Sequence, residues 1–261
     1  MALLGEDEFE RLVKSEERVR DLGEVFTPSA TVQEMLDLLP TTMWAIHPSP
    51  TFLEPACGDG NFLVAILDRK LEQIGKGYAS GKLPAGETPE SAQFHALEAM
   101  ASIYGVDISI DNVVGGTPSH EIGARDRMLT IFKEWSKEVL SKKLDERSLV
   151  LRSAEWIVEH NILVGNMLPS DINGKATGRD RIPLIEYTFE SKSLSVSLIE
   201  TKLGHVLDTE GAKTESGFDF TYGPTNPETF WSGKATSLWE AERVLAPKLQ
   251  GPARNGTRRR S

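Results

Sequence analysis

The chain has 261 residues, of which 39% are hydrophobic, and a formal net charge of −10 at pH 7. This length and apolar content allow a sizeable core, while the acidic balance argues against a broad nucleic-acid-binding surface, which is usually basic. The single cysteine leaves no partner for an internal disulfide, and the acidic first residues are unlike an export signal. No apolar run reaches the roughly 18 residues that a membrane span needs. We therefore expect a cytoplasmic protein.

Helices and strands alternate in the first two thirds of the chain. A surface helix is predicted over 3–21, and a second helix follows that is capped by Thr27, has Pro28 at its first position and ends at Pro40. The next predicted elements are a short buried strand at 51–55, helices at 61–74 and 91–102, a strand at 103–109, a charged helix at 124–143 and a strand at 162–168. This alternation indicates a parallel, doubly wound α/β sheet.

The pattern changes beyond residue 170. An antiparallel pair is predicted at 182–189 and 193–203, a further strand at 218–223 and a short helix at 237–245. The chain therefore divides into an N-terminal helix (1–22), a ligand-binding core (23–170), a divergent completion of the sheet (171–245) and a disordered basic tail (246–261).

The stretch FLEPACGDGNFL at 52–63 places a glycine turn between a strand and a helix. Gly58 and Gly60 can adopt positive φ and let a ligand approach the backbone, and ligands of parallel sheets bind at such strand ends. The stretch matches neither a phosphate loop nor the G-x-G-x-x-G pattern. The acidic side chains of Glu54 and Asp59 favour a cationic ligand over a diphosphate.

Asp107 ends the next predicted strand, where an acid can accept hydrogen bonds from a ribose. Taken alone, this residue could equally be a solvated acid at a strand end, and the glycine turn could be a generic nucleotide turn. Together, in this order, they indicate an adenosine-type ligand.

Four motifs between residues 23 and 168 then resemble those of one family. EPACGDGNFL resembles the [DE]PACG-x-G cofactor motif of S-adenosylmethionine-dependent amino-group DNA methyltransferases, and GEVFTP resembles the F-T-P element of their adenine-specific members. YGVDIS is similar to their ribose-binding strand end. ILVGNML is similar to their I-x-x-G-D motif, with Asn166 replacing the aspartate. The resemblance implies a Rossmann-like class I methyltransferase sheet that binds S-adenosyl-L-methionine.

The resemblance also implies roles for individual residues. Thr27 would contact the methionine carboxylate, Glu54 the amino group and Asp107 the ribose hydroxyls, while Ile108 would pack on the adenine and Asn166 would bond its amino group. The full set of cofactor-binding residues that the resemblance implies is Phe26, Thr27, Pro28, Glu54, Pro55, Ala56, Cys57, Gly58, Asp59, Gly60, Asn61, Asp107, Ile108, Asn166 and Met167. Within it, Cys57 is interpreted as a small packing residue, and the neighbouring Phe62 as core.

The chain lacks the [DN]PP[YF] motif with which the family holds the target amine. In the family, a polar side chain and a carbonyl accept hydrogen bonds from that amine, and the aromatic ring stacks on the flipped base. The closest candidate is Asn226, Pro227 and Phe230, with Glu228 and Thr229 in place of the second proline. An ordinary Asn-Pro turn is the competing interpretation.

The end of the chain departs from the family in length as well. Only 31 residues follow Phe230, whereas the family normally adds three strands, so we expect an altered strand order, or a protein partner or second copy that completes the sheet. The five histidines are scattered along the sequence and suggest no metal site. Trp231 and Trp239 could form a docking face or, more commonly, part of the core.

Three functions fit these observations. The first is a small, divergent methyltransferase that acts on adenine amino groups of double-stranded DNA. The alternative is a catalytically inactive relative that binds the cofactor or a protein as a regulator or decoy. A third is methyl transfer to RNA or a small molecule.

Overall fold

The computed structural model describes residues 19–20, 25–116, 122–207 and 228–249. Its helices are α1 (Ser29–Asp37), α2 (Asn61–Ala79), α3 (Pro89–Ala101), α4 (Ile110–Val113), α5 (Ala124–Leu140), α6 (Leu149–Asn161), α7 (Leu203–Leu207) and α8 (Glu242–Leu249), with 3-10 segments at Thr41–Trp44, Arg179–Arg181 and Ala235–Ala241. Its strands are β1 (Phe52–Glu54), β2 (Ile103–Asp107), β3 (Ile162–Val164), β4 (Pro183–Glu190), β5 (Ser195–Lys202) and β6 (Thr229–Lys234). The strand predicted at 218–223 and most of the predicted N-terminal helix and tail lie outside these residues.

The first sheet is parallel, with strand order β1-β2-β3. Leu53 lies opposite Tyr104, and Val106 lies opposite Leu163. Helices α2 and α3 connect β1 to β2, and helices α4 to α6 connect β2 to β3, which confirms the predicted alternation. A doubly wound sheet reverses its strand order, and no reversal occurs among the three described strands of this sheet.

The main core lies in the helical layer that connects these strands. Helix α2 buries Leu63, Leu67, Leu71 and Ile74, which recur at helical spacing. Every residue of α3 from Ser91 to Ala101 is buried. Helix α3 begins at Pro89, two residues before the predicted start, because the Thr88 side chain accepts a hydrogen bond from the Ser91 N–H and Pro89 occupies the first turn.

The second sheet is antiparallel, with strand order β4-β5-β6. Its first two strands confirm the predicted pair. Strand β6 was not predicted; it begins at Thr229 and includes Phe230, which the sequence analysis assigned to the amine-binding stretch. The Tyr104 hydroxyl donates to the Ile185 carbonyl at 2.6 Å, and the Tyr187 hydroxyl bonds Asn161 Oδ1 at 2.8 Å. These bonds attach β4 to β2 and to helix α6.

Three local predictions need correction. Pro28 precedes α1 and no side chain caps this helix, so Thr27 is not its cap. Strand β1 is half-buried rather than buried, because among the described residues it pairs only with β2. Helix α8 continues to Leu249, which is four residues beyond the predicted end of this helix at 245.

Two further features bear on the predictions. Trp231 and Trp239 are partly buried and pack against the main core, in agreement with the core interpretation. In the described part of the chain, no helix has the length and apolar character that crossing a membrane requires.

Candidate functional site

A pocket of about 530 Å³ lies at the carboxyl ends of β1, β2 and β3. It is lined by all the predicted cofactor-binding residues except Pro28 and Gly60, together with five residues that were not predicted as ligand contacts. Those five are Val25, Phe62, Ser109, Gly165 and Leu168. Four separate stretches of sequence therefore meet at one cavity, whose size is typical of small-molecule sites.

The glycine turn needs its glycines for two reasons. Gly58 and Gly60 have φ values of +53° and +98°, which side-chain-bearing residues rarely adopt. In addition, a Cβ atom on Gly58 would lie 3.1 Å from the Phe26 ring, and one on Gly60 would lie 2.9 Å from the Cβ of Ala124. The turn is thus packed tightly between the F-T-P segment and the start of α5.

Polar contacts hold the same three parts together. The Asn61 side-chain amide donates to the Thr27 carbonyl at 2.9 Å. Arg127 on α5 donates to Asn61 Oδ1 at 2.8 Å and to the Asp59 carbonyl at 2.9 Å, and it pairs with the Asp59 carboxylate at 2.9 Å. Arg127 therefore attaches the glycine turn to helix α5, and Asn61 attaches the F-T-P segment to the start of helix α2.

Replacing Arg127 with methionine is expected to loosen the turn. The change keeps most of the aliphatic stem but removes the charged hydrogen bonds to Asp59 and Asn61, which, with side chains 28% and 26% exposed in the Arg127–Asp59 pair, together contribute about 2 to 3 kcal/mol. We expect a loss of roughly 2 to 3 kcal/mol in the free energy of unfolding, measured by urea denaturation. Arg179→Met is the control, because Arg179 pairs with the adjacent, exposed Asp180; equal losses in the two variants would contradict this role for Arg127.

Asp107 bonds the turn directly. Its Oδ2 accepts from the Gly58 N–H at 2.9 Å, and its Oδ1 accepts from the Ser109 N–H at 2.8 Å and from the Asn112 amide at 3.1 Å. These donors use three of the roughly four acceptor positions of a carboxylate. One acceptor position remains, on Oδ2, so a pair of ribose hydrogen bonds would require one of the three present donors to leave.

Burial shifts two titratable groups that face the pocket. It raises the pKa of Glu54, whose carboxylate accepts only a weak bond from the Ala56 N–H at 3.4 Å. Burial and the nearby carboxylates of Asp107 and Glu54 raise the pKa of the Cys57 thiol far above its usual range. Cys57 therefore stays a protonated packing residue, as interpreted from the sequence, while Glu54 would gain from a cationic neighbour.

Comparison with family models, curated proteins and solved structures gave no match.

The far wall of the pocket comes from the ends of β2 and β3. Ile108 is 53% exposed and offers an apolar surface. The side-chain oxygen of Asn166 accepts from the Leu168 N–H at 2.9 Å, so one of its two lone pairs is already used. Phe62 both lines the pocket and packs against the main core, so it is a wall residue as well as the core residue that was expected.

Of the three residues predicted to hold a target amine, the structure describes only Phe230, and it is not brought to this pocket. Phe230 lies in β6 and packs against the main core, and it does not line the pocket. Asn226 and Pro227 lie outside the described residues. Glu228, which directly precedes β6, is exposed.

Several contributors were missed in the sequence for different reasons. Ser109, Gly165 and Leu168 lie within motifs that were recognised, so their neighbours were a usable signal. Arg127 lies on helix α5, far along the chain from the glycine turn, and no recognised motif surrounds it. Gly105 was also missed. A Cβ atom at this position would lie 2.8 Å from Leu63 Cδ1 and 3.2 Å from Cys57, so β2 needs glycine here to pack against α2 and the turn.

Proposed function

We propose that the chain binds S-adenosyl-L-methionine in this pocket and acts as a methyltransferase on adenine amino groups of double-stranded DNA. A Rossmann-like origin of the parallel sheet is part of this proposal. The observation that carries it is the convergence of Phe26, the Gly58 turn and Asp107. The Phe26 ring lies against Gly58, whose N–H bonds Asp107, so three motifs distant in sequence form one wall.

The pocket residues suit this cofactor. When bound, the cofactor supplies an electrophilic methyl group on a sulfonium ion. Glu54, with its pKa raised by burial, offers a carboxylate to the ammonium group. Asp107 offers an acceptor to the ribose, and Ile108 offers an exposed apolar surface to the adenine.

The acceptor half of the reaction is assigned from the sequence. Holding the donor in a fixed pocket promotes transfer when the acceptor amine is placed in line. We assign that placement to Asn226, Pro227 and Phe230, on the resemblance of NPETF to the amine-binding motif. The acidic chain would then need a local basic surface or a partner to hold DNA.

A cofactor-binding regulator or decoy is the second candidate. It is favoured by the absence of [DN]PP[YF] from the sequence and by the packing of Phe230 in β6. A protein partner or second copy that completes the first sheet fits either function, since β1 pairs only with β2 among the described strands.

Calorimetric titration with S-adenosyl-L-methionine tests the shared premise. We expect binding by the wild type, weakened about 10- to 150-fold in Asp107→Ala, which corresponds to the roughly 1.5 to 3 kcal/mol of a charged hydrogen bond. Asp145→Ala, at an exposed acid that does not line the pocket, should bind as the wild type does. Absence of binding at millimolar ligand would refute both candidate functions that involve the cofactor.

Transfer of a labelled methyl group to unmethylated double-stranded DNA separates the two candidates. Transfer that is abolished by Asn226→Ala supports the enzyme and the assigned amine site. Transfer that survives Asn226→Ala keeps the enzyme but rejects that site. Cofactor binding without transfer to DNA favours the regulator.

A further inference from the structure

A second cluster of polar side chains lies at the amino ends of β1 and β2, whereas the pocket lies at their carboxyl ends. His47 precedes β1, and His95 and Glu98 lie on α3, which leads into β2. Two of the histidines that are scattered along the sequence, His47 and His95, therefore lie close together in the fold, with ring centroids 5.6 Å apart. Residues 51 apart in sequence, His47 and Glu98, are in direct contact here.

The three side chains converge within a small volume. His47 Nδ1 lies 2.8 and 2.9 Å from the two carboxylate oxygens of Glu98. His95 Nδ1 lies 3.2 Å from Glu98 Oε2. One donor atom from each residue falls within 4.8 Å of the other two. The carboxylate thus sits between two imidazole rings.

The cluster is deeply buried, and the protein leaves part of it unsatisfied. His95 is 0% exposed, and its Nε2 atom has no hydrogen-bond partner among the described residues. Glu98 is 5% exposed. Buried polar atoms nearly always have a partner, but an ion bound through Nδ1, the nitrogen beside Glu98, would not supply one to this Nε2 atom. The His47 side chain, at 21% exposure, is the most exposed of the three.

We propose that His47, His95 and Glu98 bind a divalent transition-metal ion, with zinc as the best match. Two imidazole nitrogens and one carboxylate oxygen form a known three-ligand set for zinc, with the fourth position left to water. Imidazole ligands select zinc, cobalt, nickel or copper over magnesium and calcium, which prefer oxygen. No thiolate takes part, because the single cysteine, Cys57, is in the pocket turn.

The distances are compatible with an ion. Metal–ligand bonds of about 2.0 to 2.2 Å in a tetrahedron place the ligand atoms roughly 3.4 Å apart. The observed separations from Glu98 are a few tenths of an ångström shorter, as expected where hydrogen-bonding protons occupy the ion's place. Binding would release those protons, since the coordinating nitrogens must carry a free lone pair.

The position of the cluster indicates that a bound ion would stabilise the attachment of the segment before β1 to helix α3. Ser49 donates its N–H to Glu98 Oε1 at 3.1 Å, so the segment before β1 is already attached to α3 through this carboxylate. An ion shared by His47 and α3 would strengthen that attachment. At a free zinc concentration about 100 times the dissociation constant, we expect Tm to rise by roughly 5 to 10 °C.

The test uses the full, tag-free chain after removal of metal with a chelator. Calorimetry with zinc chloride should give a single ion per chain, and cobalt(II) should give the visible absorption of a four-coordinate nitrogen and oxygen site. His47→Gln, His95→Gln and Glu98→Gln should each weaken zinc binding by more than the roughly 10- to 100-fold that loss of an outer-shell partner causes. His160→Gln is the control, because His160 stacks on Trp156 away from the cluster.

Absence of zinc binding and of the cobalt spectrum in the wild type would overturn the proposal, and so would binding that all three cluster variants retain. The cluster would then be a hydrogen-bonded His–Glu–His network only. His47→Gln is the decisive variant if the buried substitutions unfold the chain, because His47 is partly exposed. None of these measurements requires the methyl donor, so their outcome is separate from that of the proposed function.

Discussion

Replacing Lys70 with methionine is expected to change the free energy of unfolding in a pH-dependent way. The stabilisation relative to the wild type should be larger at pH 6 than at pH 9, and the difference between the two should be roughly 2 to 3 kcal/mol. Lys70 lies on α2 and is only 2% exposed. Its Nζ atom donates to Ser49 Oγ and to the Pro50 carbonyl, both at 2.7 Å. Burial lowers the pKa of Lys70 from 10.5 to about 7, although the nearby carboxylate of Glu98 opposes the shift.

The sign follows from proton linkage. Between pH 7 and pH 10.5 the unfolded chain keeps the Lys70 proton while the folded protein has released it, so the free energy of unfolding rises with pH across this window. Below pH 7 both states are protonated, and the full cost of burying the ammonium group is present. Methionine removes this cost at every pH, so its advantage is largest at low pH and shrinks as pH rises.

Urea denaturation of both proteins at pH 6, 7.5 and 9, with a chelator present, measures the effect. The variant leaves two oxygens without their donor, a cost of about 1 to 3 kcal/mol, but this cost is the same at each pH and cancels in the comparison. Lys76→Met on the same helix is the control, because Lys76 is 62% exposed and should change stability by less than about 0.5 kcal/mol at any pH. A difference between Lys70→Met and wild type that does not change with pH would contradict the depressed pKa.

Much of the pocket could be predicted because its signals are local. Turn glycines, a strand-end acid and a helix that starts directly after the turn occupy a few neighbouring positions each. Gly58 and Asp107 were therefore predicted as ligand-site residues without knowledge of their contact, which joins positions 49 apart.

The rest depended on contacts between distant residues. Arg127 reaches Asp59 across 68 positions, and no pattern around Arg127 distinguishes it from the other charges of its helix. His47 and Glu98 are 51 positions apart and belong to no common sequence motif, so their contact could not be predicted from the sequence. Strand β6 was missed because its partner residues in β5 lie 30 to 39 positions away, from Ile199↔Thr229 to Ser195↔Lys234, and strand pairing depends on such non-local neighbours.

Replacing Gly60 with alanine is expected to cost about 2 to 5 kcal/mol of stability and to weaken binding of S-adenosyl-L-methionine. A side chain at φ +98° costs roughly 1 to 2 kcal/mol. The new Cβ would also lie 2.9 Å from the Cβ and 3.2 Å from the Cα of Ala124, and such overpacking costs about 1 to 3 kcal/mol. The turn would have to move away from α5, and Gly58 would move with it.

Gly86→Ala separates the two costs, because Gly86 has the same φ of +98° but its Cβ would meet nothing closer than Ser91 Oγ at 3.8 Å. We expect it to lose only the conformational part, about 1 to 2 kcal/mol, and to leave ligand binding unchanged. Adding Ala124→Gly to Gly60→Ala removes the opposing Cβ and should restore part of the stability, with a coupling of about 1 kcal/mol or more in a double-mutant cycle. Equal losses in Gly60→Ala and Gly86→Ala, with no rescue by Ala124→Gly, would mean that positive φ alone requires the glycine and that the contact with α5 does not hold the turn in place.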